Sequence, residues 1–150
     1  MAQQIYELLQ KDHDAVKKAL TRILETTNGA AKTREDLFQK VKQELEVHTK
    51  FEEEVFYPTF REDKGDKEAR EEVKDALDEH KDAKTMLAKL EKMDKTSDEF
   101  IETIRELQQA LEHHISDEED EIFPQARETV DDDAAVEMAE RYREMKKRAH

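Results

Sequence analysis

Four segments of this chain carry apolar residues at helical spacing, and each of the four stripes is interrupted near its middle by a histidine. The first reads Ile5, Leu9, His13, Val16, Leu20, Ile23, and the second Leu37, Val41, Leu45, His48, Glu52, Val55. The third reads Val73, Leu77, His80, Ala83, Leu87, Leu90, and the fourth Ile104, Leu107, Leu111, His114, Glu118, Ile122. A bundle helix turns such a stripe to the core. Burying a polar group there without a partner costs several kcal/mol. Repeated on four helices, that penalty exceeds the margin that keeps a small domain folded. One His on an apolar stripe is ordinarily a satisfied core residue, and one His-x-x-x-Glu is common on helices. One His on every stripe requires a shared solution.

The segments run from about Gln3 to Glu25, Thr33 to Tyr57, Lys67 to Lys92 and Ser97 to Ala126. Asn28-Gly29 and Lys64-Gly65 supply stops. Thr33 with Asp36 comes close to a capping box, and Thr96 with Glu99 has the spacing of one. Pro58 and Pro124 are expected to kink or end their helices. A shorter fifth helix, about Asp132 to Arg148, begins in acids and ends in bases, matching the helix dipole. Asp131-Asp132-Asp133 would cap it, and Val136, Ala139, Tyr142 and Met145 would lay it on the rest. Two Gly and two Pro in 150 residues are too few for a sandwich or barrel. The expected fold is all-α: a single domain over residues 1–150, with an up-down-up-down four-helix bundle over about 3–126 and a short C-terminal helix. In that topology the middles of all four inner faces share one level, so His13, His48, Glu52, His80, His114 and Glu118 converge.

The chain also repeats itself. A step of 66 residues carries His48 to His114, Glu52 to Glu118 and Pro58 to Pro124, and a step of 67 carries His13 to His80 and Lys17 to Lys84. Each half is a helix pair offering His, then His-x-x-x-Glu, and two such halves face to face give a two-fold site. With no Cys there is no thiolate ligand, iron–sulfur cluster or disulfide. Four imidazoles and two carboxylates exceed one tetrahedral zinc and suit two ions with the glutamates bridging; iron matches best and manganese next. The net charge of −14 suits cations and repels phosphate, so no nucleic-acid partner is expected. No segment is apolar enough for a membrane span or signal peptide, which predicts no membrane contact and a cytoplasmic location.

The ferritin-like Glu-x-x-His pattern is absent. The spacing instead resembles the hemerythrin-like family, specifically the HHE cation-binding domain. The resemblance is carried by His13 in KDHDAVKK, His48 and Glu52 in EVHTKFEEEVFYP, His80 in DEHKDAK, and His114 and Glu118 in EHHISDEEDEIFP. It implies a non-heme di-iron site with carboxylate and often oxo or hydroxo bridges. The implied roles are O2 carriage, O2 or redox sensing, iron handling, or reaction with peroxide or nitric oxide. The chain departs from the oxygen carriers in having Ala76 and Lys84 one turn either side of His80, where a fifth His would stand, and Glu118 four rather than five residues past its His. Two His and two bridging carboxylates per iron, plus one solvent bridge, leave an open position on each metal, which favours reaction over storage. Peroxide breakdown is therefore the preferred expectation. The competing readings are a sensing or iron-binding module without turnover and a metal-free or zinc-loaded bundle. A sensor is usually fused to an output domain, and the chain has no residues left for one.

Other residues are expected to be bland. Glu44, one turn before His48, reads as solvated or salt-bridged before it reads as a ligand. Tyr57 reads as packing before it reads as a redox-active phenol, because Phe123 stands at the matching place. Lys17 and Lys84 read as exposed, and His113 as surface. His150 lies at a frayed end. Apart from Glu52 and Glu118, the acidic runs 52–54 and 117–121 read as solvated faces.

Overall fold

The computed structural model describes residues 2–149, so His150 lies outside the described residues. They contain no strand. The helices are α1 (Ile5–Glu25), α2 (Ala31–Phe51), α3 (Tyr57–Lys64), α4 (Lys67–Lys92), α5 (Asp98–Asp117), α6 (Phe123–Thr129) and α7 (Asp132–Ala149). A π-helical turn, Glu52–Phe56, joins α2 to α3 without a break, and a second, Glu118–Ile122, joins α5 to α6. The chain therefore forms four long rods and a fifth helix. α1 packs on α2 and α5, α4 packs on α5, and α7 lies across α1 and α2.

Neither proline ends its helix. Each lacks an N–H and would drive its ring into the carbonyl four residues back. The chain relieves both conflicts by widening the preceding turn: Tyr57 N–H reaches Glu52 O, and Phe123 N–H reaches Glu118 O. The rods then run on to Lys64 and Thr129, beyond the ends expected at Tyr57 and Ala126. Gly65 stops the first, with a left-handed φ of 68° that a side chain would resist.

Two capping expectations shift. α2 starts behind Ala30 with no side-chain cap, so Thr33 falls inside the helix. α5 is capped by Ser97, which accepts from Phe100 N–H at 3.1 Å, one residue later than Thr96. The loops at that end are tied by Arg34, fully buried. It donates to Thr26 Oγ1 at 2.8 Å, Lys95 O at 2.6 Å and Asn28 Oδ1 at 3.1 Å. On α7 the buried face is Ala135, Met138, Ala139 and Tyr142, while Val136 is only half-buried.

The core divides in two. One apolar cluster gathers Leu9, Phe51, Phe56, Val73, Phe123 and Tyr142 among others. The second gathers Val16, Leu20, Phe38, Leu45, Leu87 and Leu111. The His and Glu of the four stripes fall between them.

Candidate metal centre

His13, His48, Glu52, His80, His114 and Glu118 are all buried, and they meet at one level of the bundle. Glu52 Oε1 lies 3.3 Å from His48 Nε2 and 3.2 Å from His80 Nε2. Glu118 lies 3.2 Å from His13 Nε2 and 3.6 Å from His114 Nε2. Each glutamate thus stands between imidazoles from different halves of the repeat. Among these six, donor atoms close enough for one ion form two groups that share Glu52: His13, His48, Glu52 and Glu118, and then Glu52, His80 and His114.

The four rings are aimed by a common device. Each turns Nε2 inward and sets Nδ1 against a carboxylate: Glu119 for His13 at 2.6 Å, Asp12 for His48 at 3.1 Å, Glu53 for His80 at 2.8 Å, Glu79 for His114 at 2.8 Å. Such a contact fixes tautomer and ring direction and strengthens the ring as a donor to a cation. The four acids occupy repeat-matched places. Asp12 and Glu79 directly precede His13 and His80, and Glu53 and Glu119 directly follow Glu52 and Glu118. Glu53 and Glu119 are therefore not solvated acids, as the sequence reading had them. The signal that marks them is their recurrence at one offset from the ligating pattern.

Tyr57 also belongs to the cluster, against the expectation of packing alone. Its hydroxyl donates to Glu118 Oε2 at 2.5 Å and lies 3.3 Å from Glu52, 3.2 Å from His80 Nε2 and 3.5 Å from His114 Nε2. Phe123, at the matching position, stacks on the His13 ring with centroids 6.1 Å apart. The two-fold arrangement is broken at one phenolic oxygen.

Of the remaining candidates, Lys17 is half-buried rather than exposed. His113 is exposed. Lys84 is exposed too, but its ammonium bonds Glu53 at 3.1 Å. Glu44 lies 3.7 Å from Lys146 Nζ. α7 comes closer than a cap would: the Tyr142 hydroxyl and the Lys146 ammonium both donate to Asp12, the acid that holds His48.

The electrostatics call for positive charge. Burial opposes charging His48, but Glu52 and Asp12 outweigh it and push its pKa up to about 10. Burial likewise opposes charging His114, and Glu79 with Glu118 raises it to about 9. Burial would raise Glu52, yet His48 and His80 hold it well below the ordinary carboxylate value. Burial and the two glutamates push Tyr57 well above a free phenol, so it keeps its proton. Even so, Glu52 Oε2 is buried with no hydrogen-bond partner among the described residues, and His13 Nε2 and Glu118 Oε1 face each other at 3.2 Å without making a hydrogen bond. Each such atom costs about 1–3 kcal/mol. A donor set of imidazole nitrogens and carboxylate oxygens with inward-facing orphans fits divalent cations. A cavity of about 670 Å³ opens onto the cluster between α2 and α4.

The fold and the cluster define a helical-bundle cation-binding domain. The chain matches the model of the hemerythrin HHE cation binding domain over residues 4–126. It belongs to that family. An uncharacterised hemerythrin-like protein from Schizosaccharomyces pombe is 32% identical over 104 residues, 69% of this chain and 51% of the relative. A protein named DNA nickase from Nostoc sp. is 25% identical over 142 residues, 95% of this chain and 39% of that one. The chain thus spans about half of one of these relatives and about two fifths of the other. The crystal structure of a hemerythrin HHE cation-binding domain-containing protein from Mycobacterium kansasii shares the fold. Its TM-score is 0.79 at 21% identity, covering 97% of this chain and 89% of that one. Among the described residues no helix is long and apolar enough to cross a membrane.

Proposed function

We propose that this chain is a non-heme di-iron domain that reacts with small oxidants, hydrogen peroxide first among them. One observation carries the reading: Glu52 and Glu118 each lie between imidazoles of opposite halves, the placement two bridging carboxylates need. His13 and His48 would hold one ion and His80 and His114 the other. Bound iron would supply Lewis acidity and a redox couple.

The chain's own residues do the rest. Glu119, Asp12, Glu53 and Glu79 keep the four Nε2 atoms pointed inward. The two apolar clusters exclude bulk water from both ends of the site. Tyr57 Oη holds a proton against Glu118 Oε2, within the cluster, and would be the nearest source for a reaction that consumes one. Residues 1–150 act as one unit in this reading. The charge of −14 argues that the chain itself does not bind nucleic acid, whatever the longer relative named a nickase does.

Metal analysis and an optical spectrum of freshly isolated protein, before and after hydrogen peroxide, test the proposal. Two irons per chain, visible charge-transfer bands and O2 evolution that is lost in His80→Ala are the expected results. A reversible O2 complex without turnover would overturn the peroxide reading. A second reading, a sensing or iron-binding module, is supported by the contact of α7 with Asp12. It predicts that α7 changes its docking with the state of the metals, without turnover.

A further inference from the structure

The repeat relates α1 to α4 and α2 to α5, so the α1/α5 face and the α4/α2 face are counterparts. They are not built alike. α1 and α5 are packed together, whereas α2 meets α4 through polar links such as Gln39 to Glu91 at 2.9 Å, and the π turn after α2 meets it through Glu53 to His80 at 2.8 Å. The side chains explain the difference. Val16 on the closed face is matched by Ala83 on the open one, and Ile115 by Thr49. Gln108 bonds Thr21 at 3.4 Å across the closed face; the matching pair is Lys42 and Ala88, and Ala88 has nothing to accept with. These smaller or non-bonding side chains open this side of the 670 Å³ cavity, whose volume also takes in the space among the ligating His and Glu side chains.

That space is far larger than peroxide, dioxygen or nitric oxide requires. Each is of the order of one or two waters, at about 30 Å³ per water. The cavity falls within the roughly 300–1,000 Å³ of sites for organic ligands. Its walls include Val16, Leu45, Ala83, Leu87, Leu111 and Ile115, and its inner end is the His and Glu cluster. The rim carries Glu44, Glu46, Glu54 and Glu91 against Lys42, Lys50, Lys84 and Lys92, with no surplus of either sign among them.

We infer that this cavity binds an amphiphile with a hydrocarbon tail, an alkyl hydroperoxide, its polar head at the cluster and its tail between α2 and α4. The head-group assignment rests on the proposed oxidant chemistry; the tail site does not.

Octan-1-ol, an unreactive stand-in of the same shape, tests the tail site by calorimetry on the full-length protein as isolated. Saturable one-to-one binding is expected, weakened at least tenfold in Ala83→Val/Thr49→Ile and in Ala83→Phe. Iron content and hydrogen peroxide consumption should stay at wild-type levels in both variants. Absent binding, or equal binding in wild type and filled variants, overturns the site. If octan-1-ol binds and is lost as expected while hydrogen peroxide is not consumed, the peroxide reading fails and the cavity stands. The converse result fails the cavity alone.

Discussion

The Tyr57 hydroxyl lies 2.5 Å from Glu118 Oε2, which links the first half of the repeat to the carboxylate of the second. No equivalent exists on the other side, where Phe123 stands. Tyr57→Phe restores the symmetry and leaves the six ligating side chains in place. It should retain the metals and lower peroxide turnover by about 10–100-fold. Metal analysis alongside O2 evolution measures both. Wild-type turnover in Tyr57→Phe would remove the phenol from the chemistry.

Asp12 gives a second prediction. It is buried, and it accepts from His48, Tyr142 and Lys146 together. Its counterpart Glu79 takes His114 and the exposed His113 instead. Lys146→Met and Tyr142→Phe should loosen His48 and weaken cation binding at the His13 and His48 position by about 10-fold or more. The His80 and His114 position should be unaffected. A cobalt titration followed in the visible range resolves this as a split between two affinities. Equal weakening of both would mean that α7 acts only through general stability.

The cluster predicts an unusual alkaline limb for the metal-free protein. His48 and His114 are raised in the fold to about 10 and about 9. Their stabilisation is complete below the unfolded value of about 6.5 and disappears as pH climbs through 9 to 10. Glu52 is lowered, so its contribution is present above about 4.5 and is lost on acidification. Metal-free protein should therefore melt highest between about pH 4.5 and 6.5. Cations bind the unprotonated imidazole, so their affinity should rise over the alkaline span. Melting curves with EDTA and with cobalt should diverge progressively from pH 6.5 to 9. A constant gap would contradict the protonated cluster.

Arg34 is a stability prediction independent of the site. Its guanidinium satisfies groups from the α1–α2 and α4–α5 loops. Arg34→Met strands them and should cost about 3 kcal/mol, a fall in Tm of about 6–12 °C. Cation content should not change. Differential scanning calorimetry with metal analysis separates the two effects.

The six inward side chains were legible because helical periodicity assigns residues to a face, and four polar breaks at one depth have few explanations. Flank residues were not legible. Glu53 lies about 100° round the helix from Glu52, and whether that flank meets water or a neighbouring ring depends on the rotation of the rod. The part of Tyr57 is hidden for another reason: its repeat partner is Phe123, and the two halves differ there by the one hydroxyl that reaches the cluster. The helix ends past Pro58 and Pro124 were hidden because a proline conflict can be absorbed by a wider turn as well as by a break. The open α2/α4 face was written in Ala83 and Thr49, but only the packed bundle reveals what their small size leaves behind.

The two π turns start on Glu52 and Glu118, and each closes one residue before its proline. A π turn is one surplus residue stored in a helix, and removing that residue would swing everything beyond it by about 100°. Each π turn therefore sets the azimuth of the helix beyond it: with one residue removed from either, Phe60 or Ala126, both buried, would rotate off the core while the ligating half of the rod stayed where it is.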